Sequence, residues 1–207
     1  MEIDFTIKQP QKTSLLIVIS GPSGIGKDAV VQGLQARKLP VHFVITATSR
    51  PPRKNEIHGE HYFFYSKEEF ETMIEAGEFL EHAWVYSDYK GVPKSQVRQA
   101  LESGKDVVMR LDFQGAKTVR ELSPDAILIF LTASNKDEWI QRLKSRRSES
   151  EEELALRIRT AKQEYESLDI FDYIVVNAEG QLDRTLDIIE NIITAEHHRV
   201  HPREVHL

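Results

Sequence analysis

Cysteine is absent from this chain of 207 residues. That excludes disulfides, thiolate metal sites and thiol nucleophiles, and it fits a reducing, cytoplasmic setting. Basic residues are in the minority: 27 Lys and Arg face 33 Asp and Glu, a net charge of -6. Nucleic-acid binding, which needs a basic surface to displace counterions, is therefore not expected. Long apolar runs are lacking as well. Leu15 to Ile19 is far too short to span a bilayer. The opening MEIDFTIKQPQKTS carries two acids and no apolar stretch of signal-peptide type. No membrane association is expected. What remains is ordinary globular material, 40% hydrophobic and 29% charged, enough for a core without covalent staples.

Buried strands and helices alternate along the chain. Leu15–Ile19 is a continuous, largely β-branched run that breaks at Ser20-Gly21-Pro22, which predicts a strand entering a loop. A helix is predicted from about Lys27 to Ala36, and a short strand over Val41–Thr46. Ser66 with Glu69 three residues on reads as a capping box opening a helix that stops at Gly77. Another helix runs from Pro93 to Ser103. Asp106–Leu111, Ala126–Leu131 and Tyr173–Val176 are further strands. Helices are predicted at about 115–122, 136–146 and 150–167, with a last amphipathic one carrying Leu182, Leu186, Ile189 and Ile193. The pattern predicts an α/β fold in three layers, a five-stranded, mostly parallel sheet flanked by helices. Residues 1–13 read as a leader, 14–197 as the domain and 198–207 as a frayed tail. The core is assigned to 14–46 and 99–197. The segments 47–98 and 144–160 depart from the βα rhythm and are candidate mobile elements over a site at the strand carboxyl ends.

Between the first strand and helix lies Gly21-Pro22-Ser23-Gly24-Ile25-Gly26-Lys27, which is G-x-x-x-x-G-K, a P-loop in its proper context. Glycines let successive backbone N–H groups converge on an anion, and the helix N-terminus adds partial positive charge. Lys27 supplies a full charge to the β- and γ-phosphates. The usual Ser or Thr after the lysine is replaced by Asp28, followed by Ala29. An Asp oxygen can hold Mg²⁺ directly or through water, which makes Asp28 the candidate metal ligand.

The stretch from Thr46 to Phe64 is the most informative. Arg50 and Arg53 can grip a phosphate dianion between two guanidinium groups, with the hydroxyls of Thr46 and Tyr62 completing the shell. Thr46, Thr48, Ser49, Arg50, Arg53, Glu56, Gly59, Tyr62 and Phe64 match, in order, the acceptor-binding segment of guanylate kinases. With the P-loop, this resemblance covers nearly the whole chain. It implies a P-loop nucleoside monophosphate kinase that moves the γ-phosphoryl group of ATP to GMP, or to dGMP, with Mg²⁺. It also implies that residues 47–98 form an acceptor-binding insert and 144–160 a lid.

Further roles follow from the resemblance alone. Glu81 stands where the family has its acceptor-base carboxylate, and Asp112 in Leu111-Asp112-Phe113-Gln114-Gly115 where it has a second one. A carboxylate can accept from both guanine N1–H and its 2-amino group, a donor pair that adenine lacks. Lys90 replaces a tyrosine that contacts acceptor phosphate, Val92 lacks a hydroxyl usual there, and Arg110 replaces an acid. Three partners are open to Arg110: Asp28, Asp112 or phosphate. Residues 142–150 resemble the lid motif, with Arg147 where glycine is usual. Arg146 and Arg157 are assigned the catalytic role of meeting transition-state charge on closure. Arg142 is a helper. Asn177 sits where the family contacts the donor base or ribose. The histidines, including His58, His61, His197 and His198, are expected to be loose surface groups. A monomer or small homo-oligomer is expected. Two alternatives stand beside the main reading: a related sugar-phosphate kinase such as a ribose 1,5-bisphosphate phosphokinase, and a non-catalytic phosphopeptide-binding module.

Overall fold

The protein is described from a computed structural model that covers residues 13–85, 87–145 and 151–205. Five parallel strands form the main sheet: β1 (Leu16–Ser20), β2 (Val41–Phe43), β7 (Asp106–Arg110), β8 (Ile127–Thr132) and β9 (Tyr173–Val176). Their spatial order is β2-β7-β1-β8-β9, so β1 lies at the centre and is paired on both sides. All five of its residues are buried, which is why its sequence shows no alternation. Helices α1 (Lys27–Ala36) and α7 (Leu182–Glu196) bury Val30, Leu34, Leu186, Ile189 and Ile193 against one face of the sheet. Helices α3 (Lys94–Glu102) and α4 (Phe113–Leu122) bury Val97, Ala100, Ala116 and Val119 against the other. Each fully buried aliphatic side chain contributes roughly 1.5–3 kcal/mol.

The predicted three-layer α/β fold and its five strands are present. The second strand is shorter than read. After Val44 gives its N–H to Val108 O at 2.9 Å, the chain leaves the main sheet. Ala47–Thr48 then becomes β3 of a second sheet with β4 (Phe63–Phe64), β5 (Phe79–Val85) and β6 (Asp88–Pro93), ordered β4-β3-β6-β5. The antiparallel pair β5–β6 was not foreseen. Its period-2 pattern is interrupted by a register shift between Phe79 and Glu81, and one inward position carries an acid. A small core of its own supports this sheet, with Phe70 of α2 (Lys67–Glu75) stacked on Phe79 and on Tyr89. Ser66 and Glu69 do form the capping box, each side chain accepting the other's backbone N–H.

Helices α5 (Lys136–Ser145) and α6 (Glu151–Glu166) border residues 146–150. Arg146, Arg147 and the rest of that stretch lie outside the described residues, as does the leader to residue 12. The tail departs from the expectation of fraying. Arg203 donates to Glu196 at 2.8 Å and to Asp172 at 3.3 Å, and Val205 packs on the core. His197 is not loose either, since its Nε2 lies 2.7 Å from Asp106 Oδ2. The reason lies in distant partners that no local pattern encodes.

Candidate active site

β1 ends at Ser20 and the chain turns at once around an open loop. Gly21 has φ +137°, and a Cβ there would stand 2.4 Å from the Leu131 carbonyl oxygen. Gly26 caps α1 with φ 98°, in the left-handed region. Lys27 opens the helix and folds its ammonium back onto the loop, donating to Gly21 O and, at 3.1 Å, to Pro22 O. Burial brings its pKa down to about 8, against the opposing pull of the Glu164 carboxylate.

The loop is fastened from behind. Trp139 of α5 donates its indole N–H to Ser23 O at 2.9 Å. Asn177, just past β9, is buried; its amide donates to Ile25 O at 2.9 Å and accepts from the Thr185 hydroxyl at 3.0 Å. The amide expected from the sequence at the donor base or ribose holds the P-loop backbone in this structure. Arg142 reaches Ile25 O at 3.3 Å and also pairs with Glu138 and Glu179. From the front, Arg157 of α6 donates to the Ser23 hydroxyl.

Facing the loop is the second pocket, built on the small sheet. Arg50 follows β3 and makes a fork-to-fork pair with Glu56 at 2.6 and 2.7 Å. Glu56 also accepts the Arg53 backbone N–H at 2.7 Å. Burial alone would raise the Glu56 pKa, but these hydrogen bonds outweigh it and bring it to about 2. The Arg50 guanidinium lies over Tyr62 at 5.0 Å and over Phe64 at 5.5 Å from the ring centres. Burial raises the pKa of the Tyr62 phenol. Glu56 carried a motif match but no role in the sequence reading; here it sets the direction of Arg50.

Deeper in, Glu81 on β5 is only 6% exposed. Gly115 on α4 makes room for it, since a Cβ there would lie 2.9 Å from Glu81 Oε2. Burial, reinforced by nearby Asp112, raises the Glu81 pKa to about 8. Asp112 caps α4 by accepting Gly115 N–H at 3.0 Å, and its other oxygen stands 3.8 Å from Lys90 on β6. Arg110, the last residue of β7, has taken Asp28 as its partner at 2.6 Å.

These side chains share one cleft. Its outer part, a cavity of about 160 Å³, is lined by the P-loop, Lys27 and Asp28 on one wall, and by Arg50, Arg53 and Tyr62 on the other. Lys90, Asp112 and Arg157 complete that lining. A deeper recess continues from it past Lys27, Tyr62, Lys90 and Asp112 to Thr46 and Glu81. Pro22, Ala29 and Asn177 are not on either wall. Glu164, missed from the sequence, is on the outer wall, two helical turns after Arg157 on the same helix face. Burial raises its pKa to about 7. The i,i+7 spacing from Arg157 was the available signal; nothing local marks Trp139.

Comparison with known proteins agrees with this architecture. The family model described as guanylate kinase matches residues 13–196. Guanylate kinase 2, chloroplastic/mitochondrial, of Oryza sativa subsp. japonica is 48% identical over 199 residues, covering 96% of this chain and 70% of its own length. The guanylate kinase of Caldanaerobacter subterraneus subsp. tengcongensis is 43% identical over 190 residues, covering 92% and 91%. The crystal structure of guanylate kinase from Anaplasma phagocytophilum superposes with a TM-score of 0.74 at 25% identity, covering 93% of this chain and 91% of that one. Similarity of this extent takes in both walls of the cleft as well as the sheet beneath them, and it places the chain in the guanylate kinase family of ATP-dependent nucleoside monophosphate kinases.

Proposed function

We propose that this chain transfers the γ-phosphoryl group of ATP to GMP, giving ADP and GDP, and that it also accepts dGMP. An oxygen of the acceptor phosphate attacks the γ-phosphorus as the bond to the ADP oxygen breaks, so the protein supplies position and charge rather than a nucleophile. The donor triphosphate lies along residues 21–27, with Lys27 leaving the loop carbonyls for the β- and γ-phosphates. Arg50, Arg53, Tyr62 and Lys90 hold the acceptor phosphate. Glu81 and Asp112 meet the guanine, and Thr46, which lines the same recess, completes the acceptor shell. Arg157, already at Ser23, and Arg146 supply the cations that gather on the transferring group.

Mg²⁺ is expected with ATP. Asp28 fits that use: it follows Lys27, lines the cleft, and its side chain is 41% exposed. Asp28 would hold the ion together with phosphate oxygens and water. When bound, it would neutralise charge on the β- and γ-phosphates.

The observation that carries the guanine assignment is Glu81, a carboxyl buried in a recess that opens onto Lys27. Bound as a carboxylate, it offers acceptors to two guanine donors; adenine would leave it unpaired. ADP release measured with GMP, dGMP, AMP, UMP and ribose bisphosphate tests this. GMP and dGMP should turn over at least about a hundredfold better than AMP or UMP in kcat/KM. Turnover with ribose bisphosphate alone would transfer the protein to the sugar-phosphate kinases. No ADP release with any acceptor would favour a binding module.

A further inference from the structure

Arg110 touches both walls of the cleft at once, through a side chain, a backbone carbonyl and a ring. Its Nη1 donates to Asp28 Oδ1 at 2.6 Å, on the first turn of α1 directly after Lys27. Its Nη2 donates to His61 O at 3.0 Å, on the segment that carries the acceptor-side hydroxyl. Its guanidinium plane lies over the Tyr62 ring at 4.2 Å. Arg50, whose direction is set by Glu56, also lies over that ring, and Phe64 packs beside it. Only 14% of the Arg110 side chain is exposed. Both terminal nitrogens and the flat face are thus committed within the protein, which leaves little of the group to meet a phosphate.

A guanidinium is the side chain suited to this task. It is planar, permanently charged, and can donate along two edges while stacking by its face. An ammonium could satisfy Asp28 but could not hold the carbonyl and the ring in fixed relation. The partial burial keeps the contact with Asp28 from being screened as a surface pair would be.

We propose that Arg110 is a positioning residue that couples the two phosphate pockets: through Asp28 and Tyr62 it makes acceptor affinity depend on whether the donor cradle is filled. A donor that draws on Asp28 changes what Arg110 holds, and Tyr62 moves with it. Thermodynamic linkage then requires the acceptor to change donor affinity by the same factor. The inference rests on the reading of residues 46–64 as the acceptor-phosphate segment.

The test is calorimetric titration of GMP into the full chain, alone and saturated with a non-hydrolysable ATP analogue plus Mg²⁺. Wild type, Arg110→Gln, Asp28→Asn and the double variant are compared. In wild type the two GMP dissociation constants should differ by threefold or more. In each single variant the ratio should fall to within about twofold of one, and the double variant should lose no more than either single, since both substitutions cut the same bridge. If Arg110→Gln does not fold, as judged by its melting curve, Asp28→Asn carries the test from the more exposed partner. A wild-type ratio under threefold, or an undiminished ratio in the variants, overturns the coupling while leaving the function intact. Failure of GMP to bind wild type at all would overturn the acceptor-pocket reading and the coupling with it.

Discussion

The proposed donor cradle presents backbone, whereas the proposed acceptor pocket presents side chains. Residues 21–27 need little beyond glycine, a strand end and a helix start, all contiguous in the chain. The acceptor wall draws Thr46, Arg50, Tyr62, Glu81, Lys90 and Asp112 from β5, β6 and the loops beside β3, β4 and β7. Backbone donors stay where the fold holds them, and a neighbouring substitution leaves them in place. Side-chain donors depend on further side chains: Arg50 on Glu56, and Glu81 on the space left by Gly115. The donor region should therefore fail at its charged group and at the glycines that admit no side chain, and the acceptor region at many separate side chains.

The largest expected effect is at the charged member of the cradle. Lys27→Ala should lower kcat by about a hundredfold or more, because donor phosphate loses its full charge partner. Steady-state kinetics with GMP as acceptor measure it, and a loss below tenfold would shift the burden of catalysis to the backbone amides alone.

Next comes Glu81→Gln, which should raise KM for GMP about a hundredfold and leave KM for ATP nearly unchanged. The same variant has a stability signature. The Glu81 pKa is raised from 4.5 to about 8 in the folded state, mainly by burial and then by Asp112. Its neutral form is therefore favoured by folding. That contribution is complete below the unfolded value, shrinks as pH rises from there, and is gone above about pH 8. Wild type should lose stability across this window, on the order of a few kcal/mol. The Gln variant should lose less, so its melting temperature should overtake that of wild type on the alkaline side. Parallel melting curves from pH 5 to pH 9 would contradict the buried carboxyl.

The smallest effect distinguishes the regions most finely. Gly115→Ala places a methyl where Glu81 Oε2 would be 2.9 Å away, and the flexible carboxyl end must give. KM for GMP should rise about tenfold with a shift of the melting temperature of only a few degrees. An unchanged KM would mean that the Glu81 carboxyl has latitude the packing does not suggest.

Much of the main sheet was legible because its signals are local. A buried run such as Leu16–Ser20 and a helix cap such as Ser66 with Glu69 need no knowledge of distant partners. The pair β5–β6 was not legible, because Glu81 breaks the apolar alternation that would have marked it. The role of Glu164 was hidden within a charged helix that by sequence alone resembles any solvated one.

The amino-acid order by itself determined where phosphate chemistry could occur: a glycine loop between strand and helix, and arginines grouped with hydroxyls nearby. Tertiary structure alone decided which charges meet. Three partners were open to Arg110, and the neighbouring ends of β7 and α1 selected Asp28. Glu81 could have been a surface acid, and the packing of β5 against Gly115 of α4 buried it. The physical reason is range: hydrogen bonding within a loop or helix turn is encoded by adjacent residues, whereas burial and ion pairing depend on how strands far apart in the chain are brought side by side.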